Sequence, residues 1–350
     1  MRANVIGLGL IGGSIALGLR GRGWHVTGDD VSSSRVDSAL GRGCIDSAGI
    51  DAGADVTFVA VPVLVAQDSV EHALKTTSGV VTDVGSVKGS LCAAIADGRF
   101  VGGHPMAGSE LEGLDGADAD MFNGAVWVLT PTAATSHTAI AAVASAVSTL
   151  GAEMVAMAPE RHDEMVAVVS HVPHLTAASL MGLAADGADE HAALLRLAAG
   201  GFRDMTRIAS GHPDIWLDIC DQNRSAIVTA LDRLIDRLGE MREIVGTVDR
   251  EGLLDRLQRA RMARSNLPGR ITRPETLAEV RIPIPDRPGA AAEIFTLAAR
   301  EGINIASFEV VHLAESNVGV AVVLVDADAA EAYRAALAGQ GLHPAVSPLS

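Results

Sequence analysis

The chain opens with a strand-like run, Asn4-Val5-Ile6, which leads directly into Gly7-Leu8-Gly9-Leu10-Ile11-Gly12. A helix-like stretch follows, and a second strand-like run ends about 20 residues further on, at Asp29-Asp30. A G-x-G-x-x-G pattern between a strand and a helix, followed by an acidic residue, is typical of a dinucleotide-binding βαβ unit. Because all of these elements occur together, we interpret this segment as such a unit rather than as a glycine-rich turn without a ligand.

The positions of this motif have separate roles. Gly7 permits the tight turn, Gly9 lets a pyrophosphate approach the backbone, and Gly12 allows close packing of helix on strand. The helix N-terminus directs N–H groups at the phosphates. Asp30, or its neighbour Asp29, lies at the end of the second strand. A carboxylate at this position accepts hydrogen bonds from the adenosine ribose hydroxyls and would repel a 2′-phosphate, so it favours NAD over NADP. The residues predicted to contact NAD are Gly7, Leu8, Gly9, Leu10, Ile11, Gly12, Asp30 and Val61.

Composition narrows the class of protein. The 350 residues predict two or three domains, at about 100–200 residues per domain. Apolar residues make up 48% of the chain and aromatic residues 3%, so we expect an aliphatic core. The net charge of −16 argues against nucleic acid or an anionic membrane as a partner. Three unclustered cysteines predict free thiols in a reducing cytoplasm and no metal site. We also expect no membrane-spanning run and no signal peptide, because the N-terminus enters a strand almost at once.

The chain changes character along its length. Residues 1–155 alternate helical stretches with apolar runs at 56–61, 80–84, 100–103 and 125–129, which predicts the buried parallel strands of a Rossmann-like, doubly wound α/β sheet. Residues 156–262 show only helical periodicity, which predicts an all-helical substrate domain whose apolar faces form a homodimer. Residues 263–277 cluster Pro, Gly and charge and are interpreted as a linker. Residues 278–350 follow a βαββαβ pattern, typical of a ferredoxin-like α+β domain.

Two clusters follow strand-like runs, where ligands bind in doubly wound sheets. In Asp83-Val84-Gly85-Ser86-Val87-Lys88, Ser86 and Lys88 offer a hydroxyl and an ammonium to a polar ligand; the alternative is an N-cap serine beside a solvated lysine. In Gly102-Gly103-His104-Pro105, His104 is a candidate proton acceptor flanked by glycines that admit a substrate. The alternative for His104 is a purely structural histidine.

Two further clusters lie in the predicted helical domain. Ser170-His171-Val172-Pro173-His174 places two histidines three residues apart, but Pro173 disturbs the helix and no third ligand is apparent, so we predict ligand binding or helix-end packing rather than a metal. Arg203 and Arg207 lie four residues apart, on one face if the segment is helical, and two guanidiniums in an acidic protein indicate carboxylate capture. The alternative is a pair of surface arginines that bind Asp204 or Asp214.

The motifs occur in the order Asp-x-Gly-Ser-x-Lys, Gly-His-Pro-x-Ala-Gly-x-Glu, Ser-His-x-Pro-His and Gly-Phe-x-Asp-x-Thr-Arg-Ile-Ala. In this combination, residues 1 to about 260 resemble the prephenate/arogenate dehydrogenase family of tyrosine biosynthesis. The family oxidises prephenate with NAD⁺ and releases CO₂ to give 4-hydroxyphenylpyruvate, or converts arogenate to tyrosine. The resemblance therefore implies an NAD-dependent dehydrogenase.

The resemblance also implies a role for each matching position. His104 accepts the proton of the substrate ring hydroxyl, and Ser86 bonds to that hydroxyl and to His104. Arg207 binds a substrate carboxylate, and His174 lines the same pocket. A dianionic substrate needs further fixed cations, for which the candidates are Arg203 and Lys88. Relatives often have lysine at the position of Arg203, which keeps the charge and changes the reach. The positions expected to shape or gate the site are Glu110, Asp204 and Trp216.

The tail from about residue 278 resembles an ACT domain, a small-molecule sensing module that often binds amino acids. The resemblance implies feedback control by an effector, with tyrosine as the obvious ligand of the pathway and phenylalanine as the alternative. The expected effector contacts are Asp286, Gly289 and Asn304.

Two other functions are weighed against this one. A Rossmann dehydrogenase that acts on a β-hydroxy acid usually has a catalytic lysine in its helical domain, and no lysine follows Lys88. A non-catalytic NAD sensor has no need of a proton acceptor such as His104. The choice between prephenate and arogenate stays open at this point.

Overall fold

The computed structural model describes the chain except for residues 109–110, 112, 191–196, 212, 266–276, 286, 288, 313–317 and 349–350. The side chains of residues 187–190, 265, 309–312, 318 and 348 are also outside the description. The chain divides into two compact units, Met1–Arg242 and Glu243–Ser350. Two of the predicted site residues, Glu110 and Asp286, therefore lie outside the described residues.

The first unit begins with strands and helices in alternation. Its elements are β1 (Arg2–Ile6), α1 (Leu10–Gly21), β2 (His25–Asp29), α2 (Ser33–Gly41), β3 (Ser47–Ala48), β4 (Val56–Val59), α3 (Val63–Thr76), β5 (Val80–Asp83), α4 (Gly89–Ala94), β6 (Phe100–Pro105), β7 (Val126–Thr130), α5 (His137–Thr149) and β8 (Glu153–Ala156). The strands form one sheet in the order β3-β2-β1-β4-β5-β6-β7-β8. The order reverses at β1, so the carboxyl ends of β1 and β4 flank the crevice where such sheets bind ligands.

The prediction that all strands are parallel is wrong at one pair. β6 and β7 are antiparallel, with His104 opposite Val128, while β8 pairs in parallel with β7. The described residues between β6 and β7, which are 106–108, 111 and 113–125, include no α-helix, and the N–H of Met106 donates to the carbonyl of Val126 at 2.8 Å. A parallel neighbour requires a crossover, whereas an antiparallel one does not. The antiparallel pairing therefore places Pro105 and Met106 beside the start of β7.

The glycine motif is fixed by close contacts between β1, α1 and β4. Gly7 has φ +94°, and a Cβ there would lie 2.3 Å from the carbonyl oxygen of Ala60. A Cβ at Gly12 would lie 1.9 Å from the carbonyl oxygen of Gly7. A Cβ at Gly9 would meet no protein atom within 4 Å. Gly7 and Gly12 therefore serve the packing of the motif, while the face of Gly9 is open.

The rest of the first unit is helical. Its elements are α6 (Pro159–Val166), a π-helical turn (Ala167–His171), α7 (Val172–Glu190), α8 (Gly200–Thr206), a 3₁₀ turn (Arg207–Ser210), α9 (Pro213–Gln222) and α10 (Arg224–Gly246), the last of which extends into the second unit. The π-helical turn widens the helix just before Pro173, which has no N–H to donate to the preceding turn. The turn thereby sets the direction in which the side chains of His171 and His174 project from the helix.

One helical run in the described part of the chain, Pro159–Asp186, is long and apolar enough to cross a membrane by length and composition. The expectation that no run reaches this length is therefore wrong. The test is met because Asp, Glu, Lys and Arg are absent between Met165 and Ala185. Core helices of globular proteins pass the same test, and this run carries the buried side chains of His162, His171 and Ala177.

The second unit contains a small antiparallel sheet. Its elements after α10 are α11 (Arg250–Ser265), β9 (Leu277–Pro285), α12 (Ala290–Arg300), β10 (Ile305–His312), β11 (Val318–Asp326), α13 (Ala327–Gly339) and β12 (Ala345–Pro348). The strands lie in the order β10-β11-β9-β12, and each neighbouring pair is antiparallel. Alternate residues of β9 are buried against the two helices, among them Val280 and Ile282. Gly289 precedes α12 with φ +89°, and Asn304 is exposed just before β10.

Candidate active site

The carboxyl end of β2 is tied to the glycine loop by Asp30. Its Oδ2 accepts a hydrogen bond from the N–H of Leu8 at 2.8 Å, and its Oδ1 accepts one from the N–H of Ser32 at 2.9 Å. The Asp30 side chain is 4% exposed, and Arg35 lies 3.5 Å from its Oδ1. The carboxylate thus sits beside the open face of Gly9. These residues fit a dinucleotide, because the loop leaves room for a pyrophosphate and α1 begins there with N–H groups that have no partner within the helix.

Lys88 does not face a ligand, so the prediction of a substrate-binding ammonium is wrong. Its side chain is fully buried and forms an ion pair with the equally buried carboxylate of Asp83. Lys88 Nζ also donates to the carbonyl of Gly103 at 2.9 Å, and Asp83 Oδ1 accepts from the N–H of Gly103 at 3.1 Å. A buried charge is stable only when it is paired. The pair therefore fixes the backbone next to His104 instead of binding a substrate.

His104 lies at the carboxyl end of β6 and contacts the helical part of the unit. Its Nδ1 is 2.9 Å from Nε2 of His162, and the two rings meet edge to face with centroids 5.1 Å apart. Nδ1 of His162 is in turn 2.8 Å from Oδ1 of Asp163. Burial, with the neighbouring His162, Lys88 and His171, holds the pKa of His104 well below its ordinary 6.5. His104 is therefore neutral at pH 7, which is the form that accepts a proton.

Asp163 connects this histidine pair to the sheet domain. Its two carboxylate oxygens accept hydrogen bonds from the backbone N–H groups of Lys88 at 2.9 Å and Gly89 at 2.7 Å. Those N–H groups begin α4 and have no partner inside that helix. The amide of Asn223 donates to the carbonyl of Asp163 at 3.0 Å and lies 3.2 Å from Nδ1 of His171. The carboxylate is thus held by the start of α4, and the main-chain carbonyl of the same residue is held by Asn223.

His171 and His174 have different surroundings. His171 is 1% exposed, and burial lowers its pKa to about 4. Its Nε2 has no hydrogen-bond partner among the described residues. His174 stacks on Trp216 with ring centroids 3.6 Å apart and planes 12° from parallel. The rings of His171 and Trp216 are nearly perpendicular, with 85° between their planes and centroids 6.0 Å apart. The two histidines therefore build an aromatic wall with Trp216.

The other predicted residues are placed less closely. Ser86 is half-buried, and its hydroxyl forms no hydrogen bond with His104 in the described structure. Arg203 is exposed on α8, where its Nε donates to the carbonyl of Ala198 at 3.2 Å. Arg207 begins the 3₁₀ turn after α8 and is exposed, as is Asp204. Val61 is half-buried after β4, beside the glycine loop.

Comparison with known proteins assigns the chain to a family. Residues 15–156 match the model of the prephenate dehydrogenase nucleotide-binding domain, and residues 158–259 match that of the prephenate dehydrogenase dimerization domain. The chain belongs to the prephenate dehydrogenase family. It is 35% identical over 335 residues to the prephenate dehydrogenase of Bacillus subtilis (strain 168), covering 90% of this chain and 89% of that protein.

Two solved structures of this kind are similar to this family member. The arogenate dehydrogenase of Synechocystis matches with a TM-score of 0.69 and 31% identity, over 77% of this chain and 100% of that one. The prephenate dehydrogenase of A. aeolicus, in complex with hydroxyphenyl propionate and NAD⁺, matches with a TM-score of 0.72 and 29% identity, over 77% of this chain and 98% of that one. The chain is therefore an NAD-dependent dehydrogenase, and the matched dimerization domain supports the expected homodimer.

Three residues in this hydrogen-bonded group were not predicted from the sequence: His162, Asp163 and Asn223. A signal for the first two is present in α6, where the buried positions are Pro159, His162, Asp163 and Val166. These positions have the spacing of the buried face of an amphipathic helix. A histidine and an aspartate on such a face need polar partners from the neighbouring element, and this need marks them as candidates.

Proposed function

We propose that this dehydrogenase catalyses the oxidative decarboxylation of prephenate to 4-hydroxyphenylpyruvate with NAD⁺. The observation that carries the proposal is the position of the His104 imidazole at the carboxyl end of β6, in the same sheet whose β1–α1 loop fits the dinucleotide. A dehydrogenase that oxidises an alcohol needs a proton acceptor within hydrogen-bond reach of the hydroxyl. His104 is the residue that meets this need.

The substrate carbon loses a hydride and the hydroxyl on that carbon loses a proton. NAD⁺, when bound, supplies the hydride acceptor. His104 takes the hydroxyl proton, the carbon–oxygen bond becomes a carbonyl, and the carbon–carbon bond to the ring carboxylate breaks to release CO₂ as the ring becomes aromatic. The overall reaction releases no net proton, because the product is a phenol. His104 therefore returns the proton to the same oxygen as the negative charge develops there.

The dianionic substrate needs cations at fixed positions. Arg207 is proposed to bind one carboxylate, since a guanidinium matches a carboxylate bidentately, and Arg203 is proposed to add positive charge four residues away. His174 and Trp216 are proposed to line the pocket with their stacked rings. Ser86 is proposed to bond to the substrate hydroxyl, and Glu110 and Asp204 to shape the entrance. Lys88 has no part in substrate binding, because its charge is already neutralised by Asp83.

Arogenate is the second candidate substrate, because a chain of 31% identity and TM-score 0.69 is described as an arogenate dehydrogenase. The test is the initial rate of NADH or NADPH production from purified protein, with each substrate offered with NAD⁺ and with NADP⁺. Turnover of prephenate with NAD⁺ is expected. Turnover of arogenate alone would replace the proposed substrate. If protein that still binds NAD⁺ produces no NADH or NADPH in any of the four mixtures, both activities are refuted.

The C-terminal sheet is proposed to be an ACT-like regulatory domain that binds tyrosine. Two observations support this: the βαββαβ order of elements and the strand order β10-β11-β9-β12, which is that of a ferredoxin-like sheet. The effector contacts are proposed at Gly289 and Asn304, and at Asp286, three residues before Gly289 in the sequence. Added tyrosine is expected to lower activity and raise the melting temperature, and the absence of both effects would overturn the assignment. We further propose that the enzyme acts in the cytoplasm.

A further inference from the structure

We infer that His162 and Asp163 are positioning residues for His104: together they fix which nitrogen of its ring carries the proton. The inference deepens the proposed function, because it explains how His104 comes to present an unprotonated nitrogen to the substrate hydroxyl. It rests on three side chains that form one continuous hydrogen-bonded chain. The contacts are 2.9 Å between His104 Nδ1 and His162 Nε2, and 2.8 Å between His162 Nδ1 and Asp163 Oδ1.

The direction of each hydrogen bond follows from Asp163. Its oxygens already accept hydrogen bonds from the backbone N–H groups of Lys88 and Gly89. An ionised carboxylate has no hydrogen to donate, so it can only accept. His162 must therefore donate from Nδ1. A neutral imidazole that donates from one nitrogen accepts at the other, so Nε2 of His162 accepts. His104 then donates from Nδ1, and its Nε2 keeps a lone pair for the substrate.

Burial makes this arrangement specific. His162 is 1% exposed and Asp163 is 7% exposed, so the contact between these two residues is shielded from solvent, while His104 is half-buried. In such a site a misplaced proton leaves a donor or an acceptor without a partner, which destabilises the alternative tautomer. Asp163 is also held by the start of α4, an element separate from its own helix. The tautomer of His104 is thereby set before the substrate arrives.

The same three hydrogen-bonded residues stabilise the positive charge that forms on His104 during turnover. When Nε2 of His104 takes the hydroxyl proton, the ring becomes an imidazolium whose Nδ1–H still points at His162. His162 keeps its own proton on Nδ1 and faces the negative charge of Asp163. The proton then returns from Nε2 to the substrate oxygen as the phenol forms. The three residues therefore end the cycle with the same protons with which they began, and they need no exchange with solvent.

The first test reads the tautomer directly and does not require turnover. Nitrogen NMR of protein with isotope-labelled histidine, with His104 assigned from the signals lost in His104→Asn, is expected to show a protonated Nδ1 and an unprotonated Nε2 near pH 7. In His162→Phe the acceptor of the Nδ1 proton is removed, so the proton is expected to be shared between Nδ1 and Nε2 of His104. A wild-type His104 that carries its proton on Nε2 would overturn the inference, whatever the protein does with prephenate.

The second test separates positioning from stability. His162→Phe keeps a ring of similar size and removes the acceptor, and it is expected to lower kcat by about 10²-fold with an unchanged KM for prephenate and unchanged NAD⁺ affinity. The matched controls are Glu164→Gln on the same helix and His72→Gln on α3, both exposed and both expected to leave kcat unchanged. A folded His162→Phe variant with wild-type kcat, or with the whole loss in KM, would contradict the inference. If the wild-type protein oxidises neither substrate, the proposed function fails and the NMR result alone decides the inference.

Discussion

The rings of His104 and His162 meet edge to face, with 75° between their planes, across the contact between a sheet strand and a helix 58 residues further along the chain. This relationship joins the nucleotide-binding part of the unit to its helical part at the proposed catalytic base. It places the proton acceptor where its basicity and its orientation are both set by buried neighbours. The consequences can be tested one residue at a time.

His104→Asn is expected to lower kcat by about 10²–10⁴-fold, the usual contribution of general acid–base catalysis, because asparagine cannot take up the hydroxyl proton. The melting temperature and the affinity for NAD⁺ are expected to stay close to the wild-type values. Steady-state kinetics with prephenate, beside a thermal melt of the same preparation, provides the measurement. A wild-type kcat in this variant would remove His104 from the mechanism.

Arg207→Gln is expected to raise the KM for prephenate by about 10- to 100-fold, because a hydrogen bond to a charged group contributes about 1.5–3 kcal/mol. The matched control is Arg203→Gln, one helical turn earlier and exposed, for which only a few-fold increase in KM is expected. Initial rates over a range of prephenate concentrations distinguish the two. Equal effects on KM would mean that neither arginine has the special role given to Arg207.

The local motifs were predictable because they depend on residues close together in the sequence. The strand–glycine–helix unit is an example, since Gly7 and Gly12 act within a few residues of each other. The direction of β7 was not predictable, because it depends on whether the connection after Pro105 crosses the sheet. Lys88 was misassigned for a similar reason: a position after a strand does not say whether the side chain turns outward or back towards Asp83.

The histidine pair shows a different limit. His162 and Asp163 lie in a helix without any recognisable motif, and their partners are His104 and the N–H groups at the start of α4, which are distant in the sequence. Only the tertiary contact brings them together. The spacing of His162 and Asp163 between Pro159 and Val166 was visible in the sequence, but the burial of these positions and the element that covers them were not.

Stability should fall in mild acid because of His171. Its pKa is about 4 in the folded protein and 6.5 as the ordinary value, so below pH 6.5 the unfolded chain binds a proton that the folded chain does not. The free energy of unfolding is therefore expected to decrease between pH 6.5 and about 4, by up to about 3 kcal/mol. Melting temperatures from pH 7.5 to 4.5 should fall less steeply in His171→Gln than in the wild type or in the exposed control His72→Gln. Parallel curves for all three proteins would contradict this assignment.

The two glycines of the turn should respond differently to alanine. Gly9→Ala is expected to weaken NAD⁺ binding and leave the melting temperature of the free protein unchanged, because its Cβ meets no protein atom within 4 Å. Gly7→Ala is expected to destabilise the fold itself, since its Cβ would lie 2.3 Å from the carbonyl oxygen of Ala60 in a backbone with φ +94°. Calorimetric titration with NAD⁺ and thermal melts separate the two cases. A destabilised Gly9→Ala variant would mean that the loop is not open as described.

Val248 is a non-glycine residue with positive φ, at +56°, and it follows the last turn of α10. The turn there is closed by the N–H of Asp249, which donates to the carbonyl of Ile244 at 3.1 Å, an arrangement that favours glycine after a helix. A β-branched residue in this conformation costs about 1–2 kcal/mol, so Val248→Gly is expected to stabilise the protein by about 1 kcal/mol. Val245→Gly, three residues earlier inside α10, is expected to destabilise it by up to about 1 kcal/mol, because glycine is a poor helix former. The urea midpoints of the two variants should therefore lie on opposite sides of the wild-type value, and a lower midpoint for Val248→Gly would show that the valine side chain contributes more than its backbone conformation costs.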